Sequence, residues 1–89
     1  MDADGRLGVA FAALAVSLAP SSAPAEVEEA LARAVAGARS GTRRERQHVE
    51  IVGLLLAGDL GRGRALAADH LTEFPADQLI RHLVRDGVA

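Results

Sequence analysis

An all-α fold of antiparallel helix hairpins is predicted for this chain by three features of its sequence. Of 89 residues, 19 are Ala and only Phe11 and Phe74 are aromatic, so a core has to form from small side chains that let backbones come close. Apolar residues recur at three- and four-residue spacing, and no stretch alternates with period two or is rich in Val, Ile, Thr and Tyr. Pro and Gly cut the chain into segments of helical length.

The first predicted helix runs from about Asp4 to Leu18 and stops before Pro20, with Leu7, Phe11, Leu14 and Leu18 as its buried stripe. Pro20-Ser21-Ser22-Ala23-Pro24 reads as a loop, because two prolines and two serines do not continue a helix. The second helix spans about Ala25 to Ala38. Glu26, Glu28 and Glu29 stand early in it, where the helix dipole favours negative charge, and Val27, Ala30, Leu31, Ala34 and Ala38 face inward. Ser40-Gly41 ends it.

Thr42-Arg43-Arg44-Glu45 is a capping box and opens the third helix, whose apolar positions are Val49, Val52, Leu55 and Leu56. Gly58 is its left-handed terminator. Asp59 is expected to cap a fourth helix from Leu60 to Phe74, closed by Pro75. Asp77 caps a last helix of about nine residues, with Leu79, Ile80, Leu83 and Val84 on its apolar face. Short connections make neighbouring helices antiparallel. One domain is expected, with hairpin one over 4–38, hairpin two over 43–74 and an extra helix over 77–86.

Composition narrows the function. All ten basic residues are Arg and the net charge is −2, which gives no long-range attraction to nucleic acid or anionic membrane. With no Cys there is no disulfide, thiolate metal site or cysteine nucleophile, which fits a cytoplasmic protein. The apolar stretch from Leu7 to Ala19 is too short to span a bilayer. It has the length of a secretory h-region, and Ala23-Pro24-Ala25 resembles a cleavage site, so export with a signal ending near Ala25 is the alternative. Asp2 and Asp4 in its flank oppose that reading.

Offsets near 34 residues align parts of the chain with itself. Shifting by 33 lays Val27 to Ala30 over Leu60 to Gly63 and Ala34 over Ala67; shifting by 34 lays His48-Val49 over His82-Leu83. From Arg44 to Pro75 the chain resembles one tetratricopeptide repeat: Gly58-Asp59 at the inner turn, Gly63 and Ala67 small where the second helix nears the first, and Pro75 at the end. His70 stands where a small residue is usual. Arg44-Glu45-Arg46-Gln47-His48-Val49, Ala57-Gly58-Asp59-Leu60 and His70 to Asp77 together resemble the tetratricopeptide repeat protein 38-like family. In that comparison the segment Asp4 to Ala15 stands for the family's early helix, with Gly5 in place of its Pro and Phe11 in place of its His. Family members are several times longer, so the chain corresponds to a segment near their beginning. The resemblance implies a helical scaffold for protein contacts and no catalytic residues.

Candidate chemistry is sparse. Glu45-Arg46-Gln47-His48 has the Glu-x-x-His spacing of di-metal bundles, but only one copy occurs. A small metal-binding bundle or enzyme using Glu45, His48, His70 and His82 is the second reading; the first needs no metal or cofactor. The serines lack a base at a defined spacing. In a repeat array the first helix of each hairpin lines a concave groove. Glu45, His48, Val52 and Leu55, with His82 and Asp86 one repeat later, are therefore the candidate partner-binding residues for a protein or peptide segment. Simple packing of His48, with a hydrogen bond to a backbone carbonyl, is the alternative for that residue. Because the terminal helices lack neighbours, a second copy is expected to cover an end, giving a homodimer.

Overall fold

The computed structural model describes residues 3–20 and 24–87, with side chains from Arg6 onward. It holds five helices, α1 (Ala3–Leu18), α2 (Pro24–Ala38), α3 (Arg43–Leu56), α4 (Leu60–Glu73) and α5 (Gln78–Asp86), and no strand among the described residues. α1 pairs with α2 and α3 with α4; α3 is the central rod, touching all four others. The result is two stacked hairpins followed by α5, all-α as the sequence predicts. Residues 21–23 of the predicted loop lie outside the described residues.

Local chemistry fixes the boundaries of hairpin two. The Thr42 N–H donates to Glu45 Oε1 at 2.8 Å and the Glu45 N–H to Thr42 Oγ1 at 3.2 Å, so the capping box is closed in both directions. At the far end Gly58 adopts φ +84°, which only Gly takes without strain. The Gly58 N–H then reaches Leu55 O at 3.1 Å and the Asp59 N–H reaches Leu54 O at 3.0 Å, forming a Schellman closure. Asp59 precedes α4 but its side chain makes no capping bond, contrary to expectation; its carboxylate stands 3.8 Å from Arg62 instead. α4 starts directly out of the Schellman turn, and the Asp59 backbone O accepts from the Gly63 N–H.

The core is small-sided where α1 meets α2 and aliphatic around α3. Ala30, Ala34 and Ala38 of α2 are buried, with Val27 and Leu31 half-buried. Val49, Val52 and Leu55 of α3 are buried as predicted, Leu56 is half-buried, and Ile51 is fully enclosed as well. A central helix is covered from several sides, so one stripe does not describe it. On α5, Ile80 and Leu83 are buried while Val84 is exposed.

α1 departs from its predicted orientation. Its large apolar stripe points outward, with Leu7 53% and Leu14 44% exposed and Phe11 and Leu18 half-buried. Gly8, Ala12 and Ala15 are the buried positions. The reason is the close approach of the two backbones. A Cβ on Gly8 would lie 2.8 Å from the Ala38 N and 2.9 Å from the Ala34 O. Leu or Phe on that side would force the helices apart, so the small residues turn inward and the bulky ones are left outside.

Candidate functional site

Four side chains from three elements meet inside the second half of the chain. Gln47 and His48 come from α3, His70 from the last turn of α4, and Asp77 from the N-cap of α5. His48 Nδ1 and His70 Nε2 each lie 2.8 Å from the same Asp77 oxygen, Oδ2. His70 Nδ1 lies 2.8 Å from the Gln47 side-chain amide. The other Asp77 oxygen, Oδ1, accepts the Ile80 N–H at 3.5 Å, which caps α5. The Phe74 ring packs 5.2 Å from the His70 ring, centre to centre. His48, His70 and Asp77 are at most 3% exposed.

The carboxyl of Asp77 sets the roles. Burial pushes its pKa up, but hydrogen bonds from His48 and His70, attraction to the His48 ring and the Ile80 N–H outweigh burial and hold it at about 2 against an ordinary 3.8. An ionised carboxylate only accepts, so both imidazoles present N–H groups to it. A carboxyl depressed in the folded state contributes stability that is complete above the unfolded value of 3.8 and is lost as pH falls towards about 2. The shift corresponds to about 2 kcal/mol. Urea unfolding of the wild type at pH 5 and near pH 2 is expected to show that loss, and Asp77→Asn to remove about that much of the difference. An equal acid loss in the variant would assign the effect to other carboxylates.

A carboxylate orienting an imidazole is the arrangement of a general base when the ring's other nitrogen is open to substrate. Here His48 Nε2 is buried without a hydrogen-bond partner among the described residues, and the four main grooves that those residues form are not lined by His48, His70 or Asp77. The cluster ties three helices together inside the protein.

This geometry corrects the groove expected from the sequence. Glu45, His48, Val52 and Leu55 are buried rather than lining an open surface. Glu45 closes the capping box, Val52 and Leu55 belong to the core, and His48 turns to a carboxylate rather than to a backbone carbonyl. His82 and Asp86 lie about half exposed on α5, paired at 3.0 Å, so the shift that lays His48 over His82 does not equate their surroundings. The di-metal set is also divided. His48 and His70 meet on Asp77, whereas Glu45 and His82 are engaged elsewhere, and no group of three or more His, Cys, Asp or Glu set to hold a metal occurs among the described residues. Gln47 and the histidine-binding role of Asp77 were not anticipated. The one signal available was that an N-cap beside the buried Ile80 directs its side chain towards the core.

One open feature of the surface is the α1–α2 face. Phe11, Leu14 and Leu18 of α1 and Ala25 and Ala30 of α2 line a groove of about 450 Å³. Glu26, Glu29 and Arg33 edge it. The Arg33 guanidinium lies 5.6 Å from the Phe11 ring centre and 4.0 Å from Glu29. No described helix is long and apolar enough to cross a membrane. Comparison with protein-family models, curated protein sequences and solved structures returns no match.

Proposed function

We propose that this chain is a non-enzymatic scaffold module of tetratricopeptide type that makes protein contacts through its α1–α2 face. The observation that carries this reading is the outward stripe of α1. Leu7 and Leu14 stand exposed on one side of α1, beside half-buried Phe11 and Leu18, while the described polar side chains of the interior, His48 Nε2 apart, are bound within the fold. Exposed apolar strips edged by charge are where proteins dock. The likeness to tetratricopeptide hairpins rests on the Gly58 turn, the buried Gly63 and Ala67 inside hairpin two, and Pro75 after α4. A cysteine-free chain fits the cytoplasm, the compartment we assign it.

A photo-crosslinking amino acid at Leu14, introduced in cells that make the protein, tests the reading. Protein adducts are expected at Leu14 and not at Gln78, an exposed polar position on α5. Absence of adducts at both Leu7 and Leu14 would overturn it.

A further inference from the structure

We infer that the occupant of the α1–α2 face is a second copy of the same face, packed antiparallel about a two-fold axis that crosses α2 between Glu29 and Arg33. This inference rests on the scaffold reading above and names its partner. Charge order along the groove selects the arrangement. α1 and α2 run antiparallel, since Gly8 meets Ala34 and Ala38 while Leu18 lines the groove beside Ala25. Glu26 and Glu29 therefore edge the Leu18 end of the groove, and Arg33 the Phe11 end. A two-fold axis at the midpoint sets the Glu29 carboxylate of each copy opposite the Arg33 guanidinium of the other. A parallel pairing sets Glu29 opposite Glu29 and Arg33 opposite Arg33. The pattern is complementary to itself in one sense only, as an isologous contact requires.

The apolar content agrees. Leu7 and Leu14 project from α1 and Leu18 and Phe11 flank the groove, so two copies bury large aliphatic groups that the small-sided α1–α2 interface cannot take in. The face is two helix diameters wide and, for the 16 residues of α1, about 24 Å long. That footprint falls near the lower end of specific interfaces, so a dimer with Kd in the tens of micromolar is expected.

Sedimentation and light scattering from about 5 to about 200 µM, the range that brackets such a Kd, test the inference. The wild type is expected to dimerise and Leu14→Glu to remain monomeric. Glu29→Arg and Arg33→Glu are each expected to weaken the dimer at least tenfold, because the two-fold axis makes either substitution disrupt both charge contacts. Mixed in equal amounts, these two variants are expected to recover it, because the mixed pair restores opposite charges at both contacts. These positions are exposed, and unchanged helical circular dichroism checks that the variants fold. A monomeric wild type, a dimer indifferent to all three substitutions, or a mixture no tighter than its components would each overturn the inference. Adducts to other proteins at Leu14 with a monomeric wild type would remove this inference and leave the scaffold reading standing. A monomer without adducts would remove both.

Discussion

Asp77→Ala is expected to lower the unfolding free energy by about 4 kcal/mol, through buried hydrogen bonds left unmade and a lost helix cap. Three losses coincide at this side chain. His48 and His70 each keep a buried N–H with no acceptor, at about 1–3 kcal/mol apiece. α5 loses its cap, worth about 1 kcal/mol. Detachment of α5 would let water reach the two rings and limits the total. Domains of this kind are stable by about 5–15 kcal/mol, so the variant is expected near the edge of folding. Asp77→Asn should fall between it and the wild type, because Asn caps helices as well as Asp and its carbonyl still accepts from one ring. Urea titration followed by helical circular dichroism measures all three. A loss below about 1 kcal/mol for Asp77→Ala would mean that the polar cluster does not hold α5 in place.

Gly8→Ala and Gly53→Ala are expected to have opposite signs, although each exchanges Gly for Ala within a helix. At Gly53 nothing lies within 4 Å of the added Cβ, so lower backbone entropy in the unfolded chain should stabilise the protein by about 0.5–1 kcal/mol. At Gly8 the same methyl meets the Ala38 N at 2.8 Å and the Ala34 O at 2.9 Å. These are backbone atoms of α2, which yield only if one helix moves as a whole. Separation of α1 from α2 should cost about 1–3 kcal/mol, more than the gain in helix propensity. Gly63→Ala belongs between them, since its nearest obstacle is the Leu55 Cδ2, the tip of a side chain, at 2.7 Å. A stabilised Gly8→Ala variant would show that α1 and α2 are not held at close approach.

The helices themselves were legible because their ends carry local chemistry. Thr42 with Glu45, Gly58 and Asp77 each act on a backbone group within five residues, and sequence spacing alone displays such a relation. The facing of α1 was not legible. Periodicity separates apolar from polar positions, but in a helix that is apolar nearly all round it cannot say which side is buried. Gly8 settles that through a contact with α2 that no spacing within α1 reveals. The polar cluster was hidden for a related reason. His48 and Asp77 are 29 residues apart, and only the stacking of α3, α4 and α5 brings them to one point. An analogy with repeat register placed His48 on a groove, whereas its ring turned to the carboxylate beneath α5.

The amide of Gln47 has a consequence for this interior. A primary amide offers an oxygen from one side and an NH2 group from the other, and exchanging the two needs only a half-turn about one bond. Facing His70 Nδ1, it can accept a hydrogen bond from that atom through its oxygen or donate one through its NH2 group, and the 2.8 Å contact survives either way. The contact is therefore kept whichever side the amide presents, and both nitrogens of the His70 ring have a partner. His48 has no such companion at its outer nitrogen. One ring of the pair is therefore held by hydrogen bonds at both nitrogens, the other at one alone.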